Sequence, residues 1–178
     1  MKKIAIIGSK KSGKTSIAEI VIRYLTKLGF AVGAIKHIHH IGFTIDKEGS
    51  DTWRHRVAGA KVTAYLSPSE AGTILRTRGE PEKLEEVLKL VEMAEIDVVV
   101  IEGFHRLVAR RTDVGKIIAF KDLDDLKCRV EGTEPPIIAF CTFNQRLLEF
   151  QYLGADCLVL PRDEEKLLRA VESFMKCP

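Results

Sequence analysis

The sequence predicts a three-layer α/β domain on a mostly parallel sheet, and three observations carry that expectation. Short apolar runs alternate with helical repeats along the 178 residues, the pattern of a sheet covered by helices on both faces. One run, "DVVVIEGF", opens with consecutive valines, the composition of a strand buried on both sides. A glycine-rich turn, "GSKKSGKT", stands between the first apolar run and the first helical repeat, where phosphate-binding α/β folds place theirs.

The elements follow in order. Residues 3–7 form a strand, and after the turn Ile17, Ile20, Val21, Tyr24, Leu25 and Leu28 recur at helical spacing until Gly29, a residue suited to the left-handed end of a helix. "FAVGAIKH" is a second strand. A polar, histidine-rich connection leads to a short helix in "TWRHRVAGA", and "KVTAYLS" and "GTILRT" read as an antiparallel hairpin extension joined through "PSEA". Pro81 opens an amphipathic helix carrying Leu84, Val87, Leu88 and Val91. "DVVVIEGF", "GKIIAF", "PPIIAF" and "DCLVL" are further strands, and "RDEEKLLRAVESFMK" is a closing helix. In such a sheet the ligand site lies at the carboxyl ends of the strands.

Length and composition fit a single globular domain over 1–178: 46% of residues are hydrophobic and 30% charged, which excludes disordered and fibrous classes. No apolar run reaches the roughly 18 residues of a membrane span, so no membrane partner is expected and the cytoplasm is the expected location. A net charge of +3 does not predict a nucleic-acid partner. Cys128, Cys141, Cys157 and Cys177 form no C-x-x-C pair, so neither a zinc ribbon nor a disulfide framework is indicated, and three of the four are expected to be buried thiols.

Gly8, Gly13, Lys14 and Thr15 fill every fixed position of G-x-x-x-x-G-K-[ST], which narrows the expectation to a P-loop NTPase fold. Glycine lets successive backbone N–H groups converge on phosphate oxygens, and the helix amino terminus adds partial positive charge. Lys14 is expected to reach the β- and γ-phosphates, and the Thr15 hydroxyl to ligate Mg²⁺. Ser9, Lys10, Lys11, Ser12 and Ser16 complete the expected nucleotide-binding loop. An acidic partner is needed at a neighbouring strand end, and Glu102 supplies it, with Gly103 permitting close backbone approach. Asp97 opens the same strand at the far edge of the sheet.

"KHIHH" leaves the second strand on the ligand side, so Lys36 and His37 are candidates for nucleotide contact. Strand alternation would turn His37 and His39 to one face and His40 to the other, and metal binding by the cluster is a competing reading. In "DKEGSDTWRHRVAGA", Asp51 is expected to cap the helix that Thr52 begins, placing Arg54 and His55 in its first turn near the phosphates. Asp46 is a candidate metal-shell carboxylate. The competing reading of this stretch is an exposed helix of alternating charge.

The ordered set "GSKKSGKT", "KHIHH", "DKEGSDTWRHRVAGA" and "IEGF" resembles the molybdopterin-guanine dinucleotide biosynthesis protein B (MobB) family over residues 1–120. The resemblance implies a P-loop protein that binds GTP rather than ATP, with Mg²⁺ and weak intrinsic GTPase activity. It would assist a partner molybdopterin guanylyltransferase, MobA, in joining GMP to molybdopterin, and form a homodimer through extended strands, to which "KVTAYLSPSEAGTILRT" would contribute. It also implies that Gly8, Gly13, Lys14 and Thr15 hold phosphates and Mg²⁺, while Asp46, Asp51, Arg54, His55 and Glu102 line the same site. Two departures stand out. His105 and Arg106 follow "EGF" where relatives carry lysine, and "CTFN" at 141–144 stands where a guanine-reading N-K-x-D would lie. Two other classes fit the loop: a small-molecule kinase with Arg106, Arg110 and Arg111 on a lid, and a nucleotide-controlled adaptor or metallochaperone using His37, His39 and His40.

Overall fold

The computed structural model describes residues 1–76, 84–148 and 150–177. These group into two compact units, Met1–His37 with Lys83–Pro178, and Ile38–Glu82.

The larger unit is a seven-stranded sheet in the order β2-β5-β1-β6-β7-β9-β8. Its strands are β1 (Lys2–Gly8), β2 (Val32–Lys36), β5 (Val98–Glu102), β6 (Gly115–Ala119), β7 (Ile137–Thr142), β8 (Gln151–Tyr152) and β9 (Ala155–Val159). All pairings are parallel except β8 with β9. The helices are α1 (Lys14–Lys27), α3 (Leu84–Glu92), α4 (His105–Val108), α5 (Leu123–Val130) and α6 (Glu164–Lys176).

Alternation along the strands builds the three layers. Ile4, Ile6, Val98 and Val100 pack on one face with Ile17, Val21 and Leu25 of α1 and Leu167 and Val171 of α6. Ala5, Ile7, Val99 and Ile101 face the other way, onto Leu84 and Leu88 of α3, Val108 of α4 and Leu126 of α5. Burying each such aliphatic side chain is worth about 1.5–3 kcal/mol, so the consecutive valines of β5 are explained by its having helices on both sides. Lys116 of β6 is fully buried, and its ammonium donates to the carbonyls of Arg111, Glu134 and Pro135 at 2.5, 2.8 and 3.4 Å. Those three acceptors replace the water it gives up.

The smaller unit holds α2 (Asp51–Val57) and an antiparallel hairpin of β3 (Val62–Leu66) and β4 (Ala71–Leu75). The α/β class, the parallel sheet and the hairpin therefore agree with the sequence. The helix around Leu84 and Leu88 is present, and Pro81, expected to open it, lies outside the described residues. Helices α4 and α5 were not expected, being short, and α5 is rich in charge. Only Cys141 and Cys157 are buried, where three buried thiols were expected; Cys128 and Cys177 are exposed and all four are free. Among the described residues no helix is long and apolar enough to cross a membrane.

Candidate functional site

The strand registers bring the site together. Glu102 ends β5 directly beside Lys36 at the end of β2 and beside Ile6 of β1, two residues before the loop. The Thr15 hydroxyl donates to Glu102 Oε1 at 2.8 Å. Lys36 Nζ donates to Glu102 Oε2 at 3.0 Å and to Thr15 Oγ1 at 3.2 Å. The amino end of α1 and the carboxyl end of β2 thus converge on one carboxylate at the end of β5, whose side chain is 13% exposed.

The loop closes on itself around Ser9. Its carbonyl accepts from Lys14 Nζ at 2.5 Å and from the Ser12 hydroxyl at 3.0 Å, and Ser12 is buried. Gly13 stands at the amino end of α1 with φ 87 and no side-chain cap, so the first N–H groups of the helix are left for another acceptor. Lys10, Lys11, Thr15 and Ser16 are exposed. Burial holds the Lys14 ammonium below its usual pKa, while the charges of Glu102 and Asp125 work against that shift.

Beyond β5 the chain turns sharply. Gly103 has φ +92, and a Cβ there would stand 2.9 Å from His37 Cβ, so a glycine is required where this turn passes the chain leaving β2. The His37 ring stacks on Phe104 with centroids 4.4 Å apart. Strand β2 stops at Lys36, so the alternation expected across His37, His39 and His40 does not apply. Among the described residues no group of three His, Cys, Asp or Glu side chains is placed to hold a metal ion.

In the smaller unit Ser50, not Asp51, caps α2: its hydroxyl accepts from the Trp53 amide at 3.2 Å. Serine's shorter side chain reaches that N–H from the extended backbone before the helix, and Asp51 becomes the first helical residue. Asp46 is buried in its side chain and accepts from the hydroxyls of Thr52 and Ser50 at 2.7 and 3.1 Å. Arg56 Nε lies 3.5 Å from its other oxygen. Asp51 and Arg54 pair at 3.6 Å on the exposed side, and His55 is exposed.

Of the three arginines expected on a lid, Arg111 is held in place. Arg111 is bound by Asp113 at 2.7 Å and by Glu85, and it precedes β6 at the end of the sheet opposite the loop. Strong donors held by two carboxylates do not swing freely. His105, which follows "EGF", turns to Thr133 Oγ1 at 3.0 Å and Arg129 at 3.4 Å. Burial and the neighbouring guanidinium lower its pKa.

The sequence did not disclose two features: how the loop and "CTFN" meet Phe120 and Lys121, and the reach of α5 to the loop. A depression of ≈ 370 Å³ opens beside the loop between the ends of β6 and β7, lined by Lys11, Gly13, Phe120, Lys121, Phe143 and Asn144 among others. Asn144 Nδ2 donates to the Lys121 carbonyl at 3.0 Å and its Oδ1 accepts from the Arg146 amide, so its amide is committed to shaping that rim. The other is Asp125 of α5, whose Oδ2 accepts from the Ser9 hydroxyl at 2.7 Å. Nothing local to "KDLDD" marked it, because Asp122, Asp124 and Asp125 all stand at the start of a charged helix.

Comparison with known proteins agrees with this architecture. Residues 3–142 match the family model described as molybdopterin guanine dinucleotide synthesis protein B. A Methanocaldococcus jannaschii protein named as a candidate molybdopterin-guanine dinucleotide biosynthesis adapter is 36% identical over 124 residues, 70% of this chain and 49% of that protein. The Escherichia coli adapter protein of that name is 30% identical over 120 residues, 67% of this chain and 65% of its own length. This chain therefore spans about half to two thirds of the length of these relatives. The crystal structure of Bacillus subtilis MobB superposes with a TM-score of 0.73 at 22% identity, covering 96% of this chain and 98% of that one, a likeness of fold. The loop, the strand-end glutamate and the matched span lead to one conclusion: the chain belongs to the molybdopterin guanine dinucleotide synthesis protein B (MobB) family.

Proposed function

We propose that this chain is a GTP-binding adapter in molybdopterin-guanine dinucleotide biosynthesis, with weak intrinsic GTPase activity. The observation that carries the reading is the convergence of Lys14, Thr15, Lys36 and Glu102 at the mouth of the phosphate loop. Thr15 and Glu102 offer two hard oxygen donors 2.8 Å apart, the donor type Mg²⁺ accepts alongside phosphate oxygens. Bound there, Mg²⁺ would neutralise charge on the β- and γ-phosphates.

Within the chain, the free N–H groups at the start of α1 and the Lys14 ammonium bind phosphate, and Glu102 keeps Thr15 oriented. The depression beside the loop, with the Phe143 ring at its wall, suits a planar base by size and apolar surface. The exposed β3 residues Val62 and Leu66, with Leu75 of β4, support a homodimer formed through the hairpin, since an apolar two-stranded ribbon pairs readily. The adapter in turn serves a molybdopterin guanylyltransferase partner.

Calorimetric titration with GTP and ATP, with and without Mg²⁺, tests this reading: GTP is expected to bind more tightly, in a Mg²⁺-dependent manner, and to be hydrolysed slowly. Failure of every nucleotide to bind while Lys14 is intact overturns it. Acceptor-dependent phosphoryl transfer far faster than hydrolysis would replace it with a kinase.

A further inference from the structure

We propose that Asp125 is a positioning residue for the phosphate loop: it holds Ser9, whose carbonyl carries the Lys14 ammonium, and through Arg129 it joins the loop to His105 behind Glu102. The proposal rests on the nucleotide reading above and names a residue that reading does not use.

Asp125 lies in the first turn of α5, where a carboxylate needs no partner beyond the helix amino terminus and water. The cap of that helix is already supplied by Asp122, whose Oδ1 accepts from the Asp125 amide at 2.9 Å. Yet the Asp125 side chain is only 9% exposed and is turned onto the loop. Its Oδ2 accepts from Ser9 Oγ at 2.7 Å and from the Lys121 amide at 3.2 Å. A carboxylate drawn so far out of water is retained at a cost unless its oxygens are bound, and one of its two hydrogen bonds comes from the loop.

Ser9 is the residue on which the loop's internal contacts centre. Its carbonyl receives both Lys14 Nζ and the Ser12 hydroxyl. With its hydroxyl anchored to a charged acceptor 116 residues away in sequence, the residue carrying that carbonyl is tied to α5.

The far side of Asp125 continues the chain of contacts. Its Oδ1 lies 3.7 Å from Arg129 Nε, and that buried Nε has no hydrogen-bond acceptor, so the pair is held by charge. The same guanidinium reaches His105 Nδ1 at 3.4 Å. The Thr133 hydroxyl donates to the Arg129 carbonyl at 2.7 Å and therefore accepts from His105 Nε2–H at 3.0 Å. That leaves Nδ1 as the acceptor facing Arg129 and assigns the neutral, Nε2-protonated ring. His105 begins α4, three residues after Glu102, so the contacts of this one carboxylate run from the loop to the segment that follows β5.

The test is equilibrium binding of GTP with Mg²⁺ to the wild type, Ser9→Ala, Asp125→Ala, Asp125→Asn and the Ser9→Ala/Asp125→Ala double variant, with thermal unfolding of each. Asp125→Ala and Ser9→Ala are each expected to weaken binding about tenfold or more, and the double variant to be no weaker than the weaker single one, as for two ends of one contact. Asp125→Asn keeps an acceptor for Ser9 and is expected to recover part of the loss. If Asp125 serves only to stabilise α5, Asp125→Ala lowers the melting temperature with affinity within twofold of wild type, and that result overturns the proposal. Effects of the two single changes that multiply in the double variant also overturn it. Should Asp125→Ala not fold, Ser9→Ala decides, since it leaves α5 and its cap intact: affinity within twofold of wild type refutes the role. Absence of binding by the wild type would refute the nucleotide reading itself, a different outcome.

Discussion

The Thr15 hydroxyl donates to Glu102 Oε1 across 2.8 Å and 87 residues of sequence. This bond joins the amino end of α1 to the carboxyl end of β5, the two elements that must cooperate if phosphate and metal are held at one point. Lys36 completes a triangle with them, 3.0 Å from the other oxygen of Glu102. Replacing Glu102 with Gln keeps an acceptor for Thr15 but removes the charge that Lys36 answers. GTP affinity without metal is expected to change less than about threefold, while Mg²⁺ dependence and hydrolysis fall by about tenfold or more, as expected when a charged partner is replaced by a neutral one. Parallel calorimetry and phosphate-release assays check this; a variant that unfolds would show that Glu102 serves the fold.

Lys14→Ala removes the ammonium that donates to the Ser9 carbonyl within the loop. Nucleotide affinity is expected to fall on the order of a hundredfold. The melting temperature should stay within a few degrees, because the ammonium is held below its usual pKa chiefly by burial and its loss relieves that cost. Circular dichroism beside a binding isotherm separates the two effects, and an unfolded variant would contradict the assignment.

The hairpin supplies a prediction about assembly. Leu66 is 87% exposed, and its β4 neighbour in register is Ala71, so nothing within the ribbon covers it. Leu66→Glu places a charge on that face and is expected to shift a dimer to monomer in sedimentation analysis without loss of GTP binding. A mass unchanged at all concentrations would remove the hairpin from the interface.

Asp113 carries the pH dependence. Its carboxyl is held well below the usual range by the Arg111 guanidinium, with Lys3 adding to the effect and partial burial opposing it. A carboxyl with a lowered pKa in the folded state contributes stability that is present above its unfolded pKa of about 3.9 and is lost as pH falls through the folded value. The side chain is 47% exposed, so solvent screening limits the contribution to about 0.5–1 kcal/mol. Asp113→Asn should lower the urea midpoint at pH 7 and by progressively less as pH falls below about 3.9; a loss that does not shrink with falling pH would exclude the ion pair as the cause.

Much of this molecule is legible in the chain because its signals are local. The spacing of Ile17, Val21 and Leu25 makes α1, the valines of β5 mark a strand covered on both sides, and Gly8 to Thr15 carry a loop whose chemistry lies in consecutive residues. Glu102 was also within reach, since a buried strand has one carboxyl end and the loop must face it. The contacts that the sequence did not disclose join residues far apart along the chain. Helix α5 has little apolar periodicity, burying Leu126 alone, so Asp125 gave no sign that it would reach Ser9. Asp51 and Ser50 are both good caps by type, and only the backbone angle before α2 chose the serine. Local propensity and pattern thus determined the elements and the glycine-rich loop. The partner of each polar side chain, from Ser9 with Asp125 to Lys36 with Glu102, was decided by strand order and register, which are set by how two apolar faces close over one sheet.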